Sequence, residues 1–212
     1  MGHRNRGGRS RGRRGYHHGN LREALIDAAL DLISEKGPGG FTFADAARGA
    51  GVSPAAPYRH FRDRDALMAD VSKRGFELLA EDLTRASGAG DTNPVRRLER
   101  IGQAYIEFAR KEPALFSAMF ESGQSYEAPE VRAAEERAFA VLLEASQALT
   151  DTMMEDERPP ATMIALHLLS LAHGIAALYT RGDSSRRKIP MAPAELLEAA
   201  VLVYLAGLGI SP

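Results

Sequence analysis

Residues 42–61 read TFADAARGAGVSPAAPYRHF, and the fold of the chain turns on them. Thr42 and Asp45 are spaced as a capping box, with Asp in the acidic role, which opens a short helix over residues 43–50. Gly51 falls just past its end, where a tight turn needs a residue free of Cβ strain. Ser53 followed by Pro54 reads as an N-cap with proline in the first helical position, starting a second short helix through Tyr58 to Phe61. Pro57 would be the fourth residue of that helix and has no N–H to give the Ser53 carbonyl, so an irregular first turn is expected. Helix, tight turn and second helix make a helix-turn-helix, whose second helix enters the major groove of DNA. Ala46, Ala47 and Ala50 are small enough for a close helix crossing, and Val52 and Phe61 can plug the joint. Tyr58, Arg59 and His60 stand together where they can reach phosphates or base edges. The competing reading is an ordinary helical hairpin with a solvated polar face.

Working back toward the N-terminus, Leu21, Leu25, Ala28 and Leu32 form the stripe of one helix face, which Gly37-Pro38-Gly39-Gly40 stops. Before it lies a Gly-interleaved tail holding Arg4, Arg6, Arg9, Arg11, Arg13 and Arg14, with no acid before Glu23. Residues 1–75 carry 14 Lys or Arg against 8 Asp or Glu, and residues 76–212 carry 13 against 20, so a net charge of -1 hides a basic head and an acidic body. Contact with a polyanion is therefore expected only in the N-terminal third, where the tail can act as an arm along the minor groove. A tail that is merely disordered and solubilising explains the same composition.

Toward the C-terminus, Asp63 caps a helix from 64 to about 86, and a loop rich in Gly and Asp follows at 88–92. Asn93-Pro94 restarts a helix, Pro113 opens a short apolar one, and further helices are expected over 129–154, 160–179 and 193–208. No run alternates in the period of a strand, so the expected fold is all-α. At roughly 100 to 200 residues per domain, 212 residues make one domain or a small one fused to a larger. The absence of Cys excludes disulfide scaffolds, cysteine zinc sites and thiol nucleophiles. A membrane span needs about 18 apolar residues; the best candidate, 199–208, is shorter and flanked by Glu198. The first twenty residues hold no aliphatic residue after Met1, so no signal peptide and retention in the cytoplasm are expected.

Tyr16-His17-His18-Gly19-Asn20-Leu21, then 37–43, Gly51-Val52-Ser53 and Pro57-Tyr58-Arg59-His60-Phe61 resemble, in order and spacing over 16–72, the DNA-binding domain of TetR-type transcriptional regulators. The resemblance implies a disordered basic arm (1–15), a three-helix DNA-binding domain (16–72) and a larger helical ligand-binding and dimerisation domain (73–212). It implies that Tyr58 and Arg64 hold phosphates, with Arg59 and His60 the next candidates. The expected contact set is Arg11, Arg13, Arg14, Tyr16, His17, Thr42, Ser53, Ala55, Ala56, Tyr58, Arg59, His60 and Arg64. Two departures matter: Pro57 stands where many relatives carry an aliphatic residue or Thr, and Ala55 and Ala56 offer only methyl groups, limiting base readout to thymine methyls. Leu171-Ala172-His173-Gly174 resembles the His-Gly signature of one TetR subgroup, without the Trp that usually precedes it by about one turn.

The family works as a two-fold dimer on palindromic double-stranded DNA, with recognition helices about 34 to 36 Å apart. Leu168, Leu171 and Ile175, with Leu197, Val201, Tyr204 and Leu208, are candidates for its apolar seam, or equally for intrachain core. Since Leu196, Ala200 and Val203 are apolar too, opposite faces of the last helix can serve both ends. Tyr105, Phe108, Phe116, Met119, Phe120, Phe139, Met163 and His173 are candidates for a pocket taking a small apolar effector, although most of such a set is expected to be simply core. An effector acts by favouring a form with the wrong spacing of recognition helices, coupled through the helix carrying Leu67, Val71, Phe76 and Leu79. His167 and His173 are six apart, about 240° around a helix, so no metal site is expected from them. No cofactor is expected. Metalloprotease, nucleophile-elbow and phosphate-loop motifs are absent, so no enzyme is expected. A repressor is the primary expectation; an architectural or weakly specific DNA-binding protein relying on the Arg-Gly tail is the alternative.

Overall fold

The computed structural model describes residues 20–88, 90, 92–121, 127–180 and 189–210, and among these the chain forms eight α-helices and no strand. Asn20 caps α1 (Leu21–Lys36) by accepting from the Glu23 N–H, and Gly37 ends it at φ 75°. The capping box at α2 (Phe43–Gly49) closes reciprocally: the Thr42 hydroxyl accepts from the Asp45 N–H at 3.2 Å, and the Asp45 carboxylate accepts from the Thr42 N–H at 2.9 Å. Gly51 takes φ 73°, the left-handed turn expected of it.

The second helix of the motif is shorter than its sequence predicts, and the reason is Pro57. Only Ala56–Arg59 is helical, as a single 3-10 turn that starts at Ala55 without a side-chain cap. The Ser53 carbonyl accepts from Ala56 at 3.0 Å, and the next N–H an α-turn would use is missing from proline. Beyond it, the N–H groups of His60 and Phe61 both donate to the Pro57 carbonyl, at 2.9 and 3.0 Å. Asp63 then caps α3 (Arg64–Ser87), accepting from the Ala66 N–H at 2.9 Å. This 24-residue helix runs without a break through the boundary expected at 72/73.

The remaining helices are α4 (Pro94–Lys111), α5 (Pro113–Glu121), α6 (Pro129–Thr150), α7 (Ala161–Thr180) and α8 (Pro193–Gly207). The head consists of α1, α2 and the recognition turn packed against the start of α3, with Leu25, Ile33, Phe41, Phe61 and Leu67 buried between them. In the body, α3 packs on α4 and α6, α7 packs on α4 and α6, and α8 packs on α4 and α7. The short α5 lies against both α1 and α3. There the Ser72 hydroxyl donates to the Ala118 carbonyl at 3.0 Å, and a Cβ on Gly75 would meet the Met119 Sδ at 2.5 Å. Glycine is what lets the two helices approach so closely.

Among the described residues, the helix long and apolar enough to cross a membrane is α7 rather than residues 199–208: an 18-residue window within Ala161–Thr180 has mean hydropathy 1.7. In the fold, Ile164, Leu168, Ala172 and Ile175 are buried against the body, while Leu166, Ser170, Gly174 and Leu178 stay outside.

Candidate DNA-binding surface and interior cavity

The recognition turn carries its polar groups outward. Tyr58 is 63% exposed, its ring edge-on to Phe43 at 5.1 Å between centroids, and Arg59 and His60 beside it are exposed. Ser53 and Ala55 are exposed and Ala56 is half-buried. Thr42 is exposed, but its hydroxyl is engaged by Asp45 on both sides, donating to Oδ2 at 2.7 Å. These bonds, the Thr42 backbone bond first, hold the Asp45 carboxyl below the usual carboxylate range. Two exposed guanidiniums lie outside the expected set: Arg48, paired with Asp45 at 2.9 Å, and Arg62, paired with Asp63 at 2.8 Å. Any Arg on a short polar surface would have signalled them. The expected contacts Arg11, Arg13, Arg14, Tyr16 and His17 lie outside the described residues.

Arg64, expected at a phosphate, is engaged within the chain. Its Nε donates to the Phe41 carbonyl at 3.0 Å, its Nη2 donates to the Pro38 carbonyl, and its guanidinium lies 4.5 Å above the Phe41 ring. With Nη1 3.9 Å from Asp65, the side chain is only 27% exposed. It ties the 37–41 turn to α3 because that turn aims two carbonyls and an aromatic face at it. Between α1 and α3, Arg22 pairs with Asp70, and Arg74 reaches Glu23 and Asp27 at 3.3 and 3.5 Å.

A cavity of about 270 Å³ opens among α3, α4, α6, α7 and α8, with Phe120 of α5 on its wall. Of the eight residues expected there, Tyr105, Phe120 and Phe139 line it. Phe108, Phe116 and Met119 do not: they are buried elsewhere in the core, and Met163 is half-buried away from the wall. His173 stands behind the wall, its Nδ1 2.9 Å from the Tyr105 hydroxyl, its ring stacked on Phe116 at 5.4 Å and edge-on to Phe120 at 4.6 Å. Sequence periodicity finds the apolar faces of helices, but the helix crossings decide which residues meet a void and which meet each other. It also passed over Phe76, Leu79, Leu169 and two acids, Glu135 and Glu136, that line the cavity. Burial, then the neighbouring Glu136 charge, pushes the Glu135 carboxyl above the usual carboxylate range.

Of the two roles open to the residues expected at the seam, four take the intrachain one. Leu168, Ile175, Leu197 and Val201 are exposed by no more than 6% within the single chain, so they are its own core and have little surface to offer a partner. Leu171, Tyr204 and Leu208 are half-buried, and the Tyr204 hydroxyl lies 3.1 Å from His167 Nδ1. The exposed apolar residues of α7 and α8 are Leu166, which also lines the cavity, Leu178 and Val203, the last 74% exposed, and Ala199 and Ala206 on α8 are exposed too.

The geometry of head and body is matched by known proteins. The family model described as "Bacterial regulatory proteins, tetR family" matches residues 25–71, and that described as "Tetracyclin repressor-like, C-terminal domain" matches residues 98–204. The chain belongs to the TetR family: it is a transcriptional regulator with a helix-turn-helix DNA-binding head. It is 33% identical over 108 residues to the HTH-type transcriptional regulator BetI of Rhizobium meliloti, a match that covers 50% of this chain and 53% of that protein. Over 201 residues, 91% of this chain and 95% of the other, it is 23% identical to an uncharacterized HTH-type transcriptional regulator, YobS, of Bacillus subtilis. Among solved structures, a protein of unknown function from Rhodococcus sp. RHA1 is 29% identical with a TM-score of 0.75, covering 93% of this chain and 100% of that one.

Proposed function

We propose that the protein is a ligand-responsive repressor that acts as a homodimer, gripping a palindromic operator with its two heads and releasing it when a small molecule occupies the body. The observation that carries this reading is the set of outward apolar residues of α7 and α8, Leu178, Ala199, Val203 and Ala206, on a chain whose core is already complete without them. A soluble chain leaves such a set for a partner, and a second copy supplies a matching set by two-fold symmetry, forming a four-helix bundle. Residues 16–72 and 73–212 then divide the labour between DNA and effector. On the head, Tyr58, Arg59 and His60 make the groove contacts, Ser53, Ala55 and Ala56 approach the DNA closely, and Arg64 keeps the turn in place. The single 3-10 turn limits base readout to few positions, so backbone contacts carry most of the affinity.

Selection of bound sequences from a random DNA pool tests the reading. The expected product is a two-fold symmetric consensus whose half-sites lie one or more helical turns apart, about 34 to 36 Å each. An unsymmetric consensus, or none, overturns it.

A further inference from the structure

Among the described residues, the charges on the cavity wall are of one sign: it is made of Leu, Ile, Val, Ala and Phe side chains together with Gly102, Tyr105, Glu135 and Glu136, with no Lys, Arg, His, Asn or Gln among them. The Tyr105 hydroxyl is already engaged with His173. Glu135 is half-buried on α6 and makes no hydrogen bond or ion pair among the described residues, and Phe139 follows it one helical turn later on the same wall. Neither guanidinium of that helix lines the cavity: Arg132, three residues before Glu135, is exposed, and Arg137 is paired with Glu77 at 3.3 Å.

A carboxylate left without a partner at an apolar cavity is a cost that a ligand of opposite charge removes. Four aromatic rings, Tyr105, Phe76, Phe120 and Phe139, line the same cavity, and a ring face favours a cation over an isosteric neutral group. An anionic amphiphile would meet two carboxylates and no counter-charge. The cavity, about 270 Å³, is close to the roughly 300 Å³ at which pockets begin to enclose drug-sized molecules. We propose that the effector is a lipophilic cation, an amine or quaternary ammonium with an apolar tail, whose charge is matched by Glu135. This rests on the reading of the cavity as the effector site.

Calorimetric titration of the full chain with octyltrimethylammonium, octanol and octanoate separates the two. The expected order is cation, then alcohol, then carboxylate, with the cation favoured over the alcohol by about tenfold or more. Glu135→Gln, with its fold checked by circular dichroism, is expected to weaken the cation about tenfold and leave octanol unchanged. Glu136→Gln, at an exposed position, is expected to have a smaller effect. Octanol binding as tightly as the cation, or a cation preference that survives Glu135→Gln, overturns the proposal while leaving the cavity a ligand site. Failure of all three probes to bind, or binding unaffected by the cavity-filling Leu169→Trp, overturns the effector site and the cation with it.

Discussion

In the head, order is imposed on neighbouring backbone: Asn20, Thr42, Asp45 and Asp63 each hold an N–H three residues away. In the body, the polar contacts include ones that join distant positions, Ser72 with Ala118 and Tyr105 with His173, beside local caps such as Asn93 on α4 and apolar packing around an unfilled space. A surface that must fit a rigid duplex is built from short-range restraints. A region that must admit a guest tolerates a void, which a cap-dominated region of a few turns could not enclose.

The largest expected effect comes from attacking the body where it faces outward. Val203→Glu leaves the chain folded, since the side chain is 74% exposed, but converts the dimer to monomer and lowers operator affinity by about 100- to 10,000-fold; sedimentation and DNA titration on one sample check both. A folded variant that stays dimeric places the seam elsewhere.

Two head residues then sharpen the contrast between contacting DNA and shaping the surface. Tyr58→Ala is expected to lower operator affinity by about tenfold to a hundredfold with little change in melting temperature. Arg64→Ala should do the reverse first, costing about 1.5–3 kcal/mol of stability by leaving the Pro38 and Phe41 carbonyls without their charged donor. Urea denaturation beside DNA titration distinguishes them; equal loss of stability in both variants would erase the distinction.

Thr42→Ala is expected to cost about 1 kcal/mol. The carboxyls of Asp45 and Asp63 are held low in the folded chain, by their bonds to Thr42 and Ala66 first. Their contribution is therefore present above the ordinary carboxylate range and lost as pH falls through the depressed folded values. Melting curves across that range should show wild type approaching Thr42→Ala. The smallest effect belongs to the body's surface, where hydrogen bonds from Arg110 and Lys111 hold the exposed Glu107 at about 2. Glu107→Gln is expected to shift the melting midpoint by less than about 2 °C at neutral pH, a gap that closes as pH falls toward 2.

The same division explains what could be read from the sequence. The capping box, Gly51, the Asp63 cap and the Asn93-Pro94 start all follow from residues within a few positions, and each stands where its spacing puts it. Even the irregular recognition turn was legible in Pro57, although its shrinkage to four residues was not. The body resists such reading because α8 is apolar all round: Leu196, Leu197, Ala199, Ala200, Val201, Val203 and Leu205 give no face to choose. Only the crossing of α8 over α4, where a Cβ on Gly102 would meet Leu197 Cδ2 at 2.8 Å, turns Leu197 inward and Val203 outward. Glu135 escaped notice for a related reason, since an acid on a helix reads as solvated until the neighbouring helices enclose it.

The unbroken run of α3 has a mechanical consequence. Leu67 sits in the head's core and Leu83 on the cavity wall, sixteen residues apart on one rod, a span of roughly 24 Å. A tilt of about 5° at the wall swings the head by about 2 Å, and a two-fold pair doubles this to about 4 Å between heads, against a groove repeat of roughly 34 Å. Under the proposed ligand-responsive reading, such a lever would let a guest dislodge the grip without deforming either end.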